Sequence, residues 1–172
     1  MIFVNDQLVV QDTTLEEALT KIKEYLWKHH LIIINNENVP LTDSQLEEVI
    51  KQNENQQVFF KAIKIKELLF EIYSELNDYV DKIEQYIDNI RDEENYSSVQ
   101  EAFANVVEAL IEFSNTQKYL DINVIDPKRL EEFSLKALRQ TQLGNVEYVL
   151  DLMEYELVPL FKRLLKQLEE RM

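Results

Sequence analysis

The longest regular pattern of apolar positions begins at Ala62. Ala62, Ile65, Leu69, Ile72, Leu76, Tyr79, Ile83, Tyr86 and Ile90 follow one another at alternating steps of three and four, and Tyr73, Val80 and Ile87 widen the stripe on one side. That period places them along one face of a helix, so one long helix is expected from about 62 to 91. At ~1.5 Å per residue it is on the order of 40 Å long. Three further stripes follow. Val99, Ala102, Val106, Leu110, Phe113 and Leu120 form the first; Leu130, Phe133, Ala137, Leu138 and Thr141 form the second. Val149, Leu150, Met153, Leu157, Leu160, Leu164 and Leu168 form the last. Ser98-x-x-Glu101 has capping-box spacing, Asp126-Pro127 is a helix start with proline at its first position, and Gly144 is a C-terminal cap. Pro159 has no N–H for the Tyr155 carbonyl and predicts a kink in the last helix. Four such helices with short connections predict an antiparallel bundle.

Ahead of Ala62 the apolar positions are shorter and differently spaced. Ile2-Phe3-Val4 and Leu8-Val9-Val10 flank Asn5-Asp6 and read as a hairpin. Thr14-x-x-Glu17 opens a helix whose face carries Leu15, Ala18, Leu19, Ile22, Leu26 and His29. Leu31-Ile32-Ile33-Ile34 is a branched run suited to a buried strand, Ser44-x-x-Glu47 caps a short helix to about Gln52, and Val58-Phe59-Phe60 is a fourth strand. The expected fold class is therefore α+β, mostly α. A small β-grasp-like (ββαβ) N-terminal domain over 1–60 precedes a helical bundle of about four helices over 61–172.

Composition sharpens this picture. The 172 residues include one glycine, where average usage gives roughly twelve. Positive-φ loops and phosphate cradles draw on glycine, so few, short connections are expected, and Gly144 alone cannot write a Walker or Rossmann motif. A net charge of −15 repels phosphate backbones and anionic membranes, which argues against nucleic-acid and membrane partners and leaves open a basic partner or a role as a nucleic-acid mimic. The absence of cysteine excludes disulfides and thiolate chemistry. Met1 to Asp6 lacks a basic segment before an apolar run, so no signal peptide is expected and the cytoplasm is the expected compartment.

The stretch Asp151-Leu152-Met153-Glu154-Tyr155-Glu156-Leu157-Val158-Pro159-Leu160-Phe161 resembles a recurrent "leucine, acid, Tyr-Glu-Leu, x-Pro-Leu" segment of an uncharacterised family from low-GC Gram-positive bacteria. The Asn5-Asp6-Gln7 turn, the threonine-capped first helix and Val39-Pro40-Leu41 resemble the front half of that family. The resemblance covers most of the chain. It implies a β-grasp-like front and a helical rear, and it brings no activity and no functional residue.

Chemistry-bearing residues are few. His29 and His30 lack further ligands at metal-binding spacing; His29 is expected to cap the core and His30 to suit the helix C-terminus. Asp78 with Asp81, Asp88 with Asp92, Glu108 with Glu112, and Asp151 with Glu154 stand at helical spacing, but no Glu-x-x-His accompanies them, so a solvated face is expected. Trp27 lies about 140° from Ile22 at 100° per residue and is expected to pack between the two parts of the chain in preference to serving as an exposed binding residue. Tyr155, Glu156 and Pro159 mark a bend that lets the last helix wrap its neighbours. No catalytic, cofactor or metal residues are assigned. The sequence points to a non-enzymatic interaction or regulatory protein, with a protein partner or self-association as a homodimer. The alternatives are a carboxylate-only divalent-metal hydrolase and an acidic nucleic-acid mimic.

Overall fold

The computed structural model describes residues 1–172, the side chain of Lys118 excepted. The fold is α+β and mostly helical, with one small mixed sheet of four strands, and the chain divides into compact units Met1–Leu68 and Leu69–Met172.

In the first unit, β1 (Ile2–Val4) and β2 (Gln7–Val10) form a hairpin, followed by α1 (Leu15–His29), β3 (Leu31–Ile34), α2 (Asp43–Gln52) and β4 (Val58–Lys64). The hairpin turn puts Asn5 and Asp6 at φ 48° and 63°, the left-handed pair that matches the twist of the flanking strands. The sheet order is β2-β1-β4-β3, with β1 parallel to β4 and both other pairs antiparallel. Asn5 ties the hairpin to the last strand. Its amide donates to the Ala62 carbonyl and accepts from the Ala62 N–H, both at 2.8 Å, while its own N–H donates to the Phe60 carbonyl at 3.0 Å. Strand alternation then sorts β4: Val58, Phe60 and Ala62 are buried with Val4, Ile22, Ile33, Leu46 and Ile50, whereas Phe59 and Lys61 face outward.

Several expected boundaries move. Ala62 shares the helical spacing of the residues behind it, yet it pairs with Ile33 in the sheet. The long helix α3 accordingly runs over Ile65–Glu93, not from 62, and the strand outlasts the boundary expected at 60. The α2 capping box is Thr42 with Gln45, not Ser44 with Glu47. At α1, Thr14 accepts from the Glu17 N–H at 3.4 Å, but the Glu17 carboxylate takes the Thr13 hydroxyl instead of reaching back to the cap. Ser98 meets the Tyr86 phenol at 2.7 Å.

The second unit contains most of α3, then α4 (Val99–Gln117), a 3₁₀ turn (Lys118–Leu120), α5 (Pro127–Gln142) and a last rod made of α6 (Val146–Leu152), a π segment (Met153–Leu157) and α7 (Val158–Arg171). α4, α5 and α6 are mutual neighbours. Leu110, Leu130, Leu150, Leu157, Phe161, Leu164 and Leu168 are almost wholly buried. On α3 the buried positions of the C-terminal half are Val80, Ile83, Ile87 and Ile90, and Ile72, Tyr73, Leu76 and Tyr79 are half-buried. Tyr79 meets Phe161 edge-on at 5.5 Å, and its desolvation raises the phenol above its ordinary pKa.

Connections are managed almost without glycine. Gly144 (φ 75°) ends α5 as expected, with the Asn145 N–H donating to Gln140 and the Gly144 N–H to Thr141, a Schellman arrangement. Left-handed positions are supplied by other residues. Asn5, Asp6, Asp12, His30, Asn38, Glu94 and Asp121 all have positive φ. Five of these are Asn or Asp, whose short polar side chains tolerate that conformation best. The segment after the 3₁₀ turn is pinned by buried Gln117, whose amide donates to the Ile125 carbonyl (2.8 Å) and accepts from the Val124 and Ile125 N–H groups (3.1 and 3.0 Å).

Candidate functional site

His29 does not take the core-capping place expected of it, whereas His30 stands at the helix end. His29 is exposed and packs its ring on Tyr25 at 4.4 Å between centroids, and the Tyr25 hydroxyl meets Gln7 at 2.5 Å. His30 is exposed too; its backbone, at φ 53°, closes α1, and its carbonyl accepts from the Ile65 N–H at 3.0 Å. His29 therefore does not cap the core: around the helix it falls between Ala18 and Ile22, but at the last position of α1 its side chain is exposed.

Asp78, Asp81, Asp88, Asp92, Glu108 and Glu112 are all exposed. Asp151 and Glu154 are half-buried and converge on Arg91 of α3, whose guanidinium donates to Asp151 at 2.8 Å and to Glu154 through two nitrogens. The two carboxylates hold the guanidinium still further above its already high pKa. Two carboxylates on one cation make a charge-assisted clasp between helices. Among the described residues, no three His, Asp or Glu side chains gather in a metal-binding group.

Pro159 is accommodated by register and not by a broken bond alone. The Val158 N–H donates to the Met153 carbonyl, five residues back, so the expected kink takes the form of a π segment just before the proline. Tyr155 on this segment is 66 % exposed, and Glu156 meets Arg129 at 3.5 Å. Beside it, Glu84, Ile87, Asp88, Glu154, Pro159 and Lys162 line a cleft of about 500 Å³. Lys162 bridges to Glu84 across that cleft at 2.5 Å.

Trp27 is 84 % exposed, so the rest of the first unit does not cover it. A second exposed aromatic feature lies on the sheet. Phe3 and Phe59, register partners in β1 and β4, stack at 4.8 Å between centroids and 11° between planes. Leu8 stands opposite Phe3 on β2. Phe59 is 61 % exposed and Leu8 49 %. The sequence carried a signal for this row, since a buried Phe60 turns Phe59 to the other face. No comparable signal announced the Arg91 clasp, whose partners lie 60 and 63 residues away.

Comparison with protein-family models, curated proteins and solved structures finds no match for this chain. No helix among the described residues is long and apolar enough to cross a membrane.

Proposed function

We propose that this protein works by binding another protein, in the cytoplasm, and that it is an adaptor or regulator without chemistry of its own. The observation that carries the reading is the Leu8–Phe3–Phe59 row on the sheet face opposite α1 and α2. Three large apolar side chains side by side on an outward face lose solvation free energy unless something covers them, and aromatic pairs anchor protein interfaces. The net charge of −15 favours a basic partner and slows association with anionic ones.

The same reading takes the first unit as a β-grasp domain, supported by its strand order with the first and last strands parallel at the centre. It takes the second unit as an antiparallel bundle, supported by α4, α5 and α6 being neighbours joined by short connections. Membership of the low-GC Gram-positive family remains part of the proposal and adds no activity.

The test is affinity capture from a bacterial lysate with the wild-type chain and with Phe3→Ser/Phe59→Ser, alongside sedimentation of each. A specific band lost in the variant, with an unchanged circular-dichroism spectrum, supports the reading. A second copy as the partner appears as a dimer that the variant abolishes. If the wild type stays monomeric and retains nothing, the reading is wrong.

A further inference from the structure

The second unit carries an apolar trough that its own core does not fill. It runs between α4 and α5, has a volume of about 270 Å³, and is lined chiefly by Ala104, Val107, Ile111, Ser134, Ala137 and Leu138. Ala104, Ser134 and Ala137 are short, which leaves the floor open. Ile111 and Leu138 stand at its walls, 45 % and 48 % exposed. The volume falls below the ~300–1,000 Å³ of pockets that enclose small molecules, so it suits a few inserted side chains better than a whole ligand.

Charge says whose side chains these are. Glu108 lines the trough itself. At 100° per residue, Glu101, Glu108 and Glu112 fall within about 40° of one another, forming an acidic ridge along the α4 lip. All three are exposed. Across the trough Glu131, also exposed, lies about 20° from Leu138 on α5, and the cations Lys128 and Arg139 lie about 80–100° from Leu138 on the same side. A second copy of this chain docked here face to face would set these glutamates against their own images. A cationic helix meets them instead.

We propose that the trough between α4 and α5 docks an amphipathic helix of a partner protein, whose aliphatic side chains at 3-4 spacing enter the trough. Its flanking Lys or Arg side chains face Glu101, Glu108 and Glu112. Two neighbouring helices form a natural cradle for a third, whose ridge of side chains sits in their groove. This site lies on a different unit from the Phe3–Phe59 face, so it stands or falls separately from the reading above.

The experiment uses the full chain and fluorescence anisotropy with a labelled Leu/Lys peptide that places Leu at helical spacing. A scrambled peptide of the same composition serves as control. The helical peptide binds, and the scrambled one binds about tenfold or more weakly. Ala104→Trp fills the trough and weakens the helical peptide about tenfold; Ile111→Ser, a milder change on an exposed wall, weakens it less but clearly. Replacing Glu101, Glu108 and Glu112 by Gln weakens binding and flattens its salt dependence. Equal affinity for helical and scrambled peptides overturns the proposal, since that is bare attraction between opposite charges. So does an affinity untouched by both Ala104→Trp and Ile111→Ser. A concentration-dependent dimer abolished by Ala104→Trp identifies a second copy as the occupant and overturns it too.

Discussion

Glu94 and His30 sit in left-handed conformations without the local hydrogen bonding that helps Asn and Asp there. Each ends a helix, α3 and α1 respectively, at the position where glycine is favoured. Glu94→Gly is therefore expected to stabilise the fold by about 1 kcal/mol, and His30→Gly similarly, read as an upward shift of the urea midpoint. Gln117→Ala is expected to do the opposite. It strips partners from the buried Ile125 backbone and costs about 2–3 kcal/mol in the same measurement. Cap residues such as Asp126, which accepts from the Lys128 N–H at 3.0 Å, are legible in sequence because their partner lies two or three residues away. Gln117 was not, because nothing in a helical pattern says that one polar residue will turn inward to hold a loop.

At the scale of elements, periodicity located the rods and the strands but not the seam between them. Ala62 fits the stripe of α3 and the alternation of β4 equally well, and pairing with Ile33 decides the matter. The Phe3–Phe59 row needed one thing more than the strand assignment, the parallel pairing of β1 with β4, which joins residues 56 apart in sequence. Where α3 meets the last rod, two side chains invite tests. Arg91→Ala leaves Asp151 and Glu154 half-buried, adjacent and unneutralised; because all three side chains remain partly exposed, a cost of about 1 kcal/mol is expected. That loss should shrink as salt is raised in the unfolding buffer. Tyr79 has a phenol pKa raised above its ordinary value of 10.0, so the folded state holds that proton more tightly than the unfolded chain. Its contribution is fully present below pH 10 and is lost as pH climbs through the raised value. Stability measured against pH should thus fall less steeply on the alkaline side for Tyr79→Phe than for the wild type.

The whole molecule is governed by its charge. With a net charge of −15, self-repulsion opposes compactness, and the Debye length shortens to about 10 Å at 0.1 M salt. Raising NaCl from roughly 10 to 150 mM is expected to lift the melting temperature by a few degrees, as seen by differential scanning calorimetry. Mg²⁺ at matched ionic strength should add nothing further; a large Mg²⁺-specific rise would point to a carboxylate metal site. The centre of the sheet, meanwhile, joins the two ends of the first unit. β1 hydrogen-bonds along β4, and Asn5 grips Ala62 across a sequence separation of 57. A chain emerging from the ribosome therefore has its hairpin and α1 in hand long before the strand that completes the middle of the sheet. Until Lys64 has cleared the exit tunnel, one long side of β1 is an open edge, and the nascent chain is at its most adhesive then.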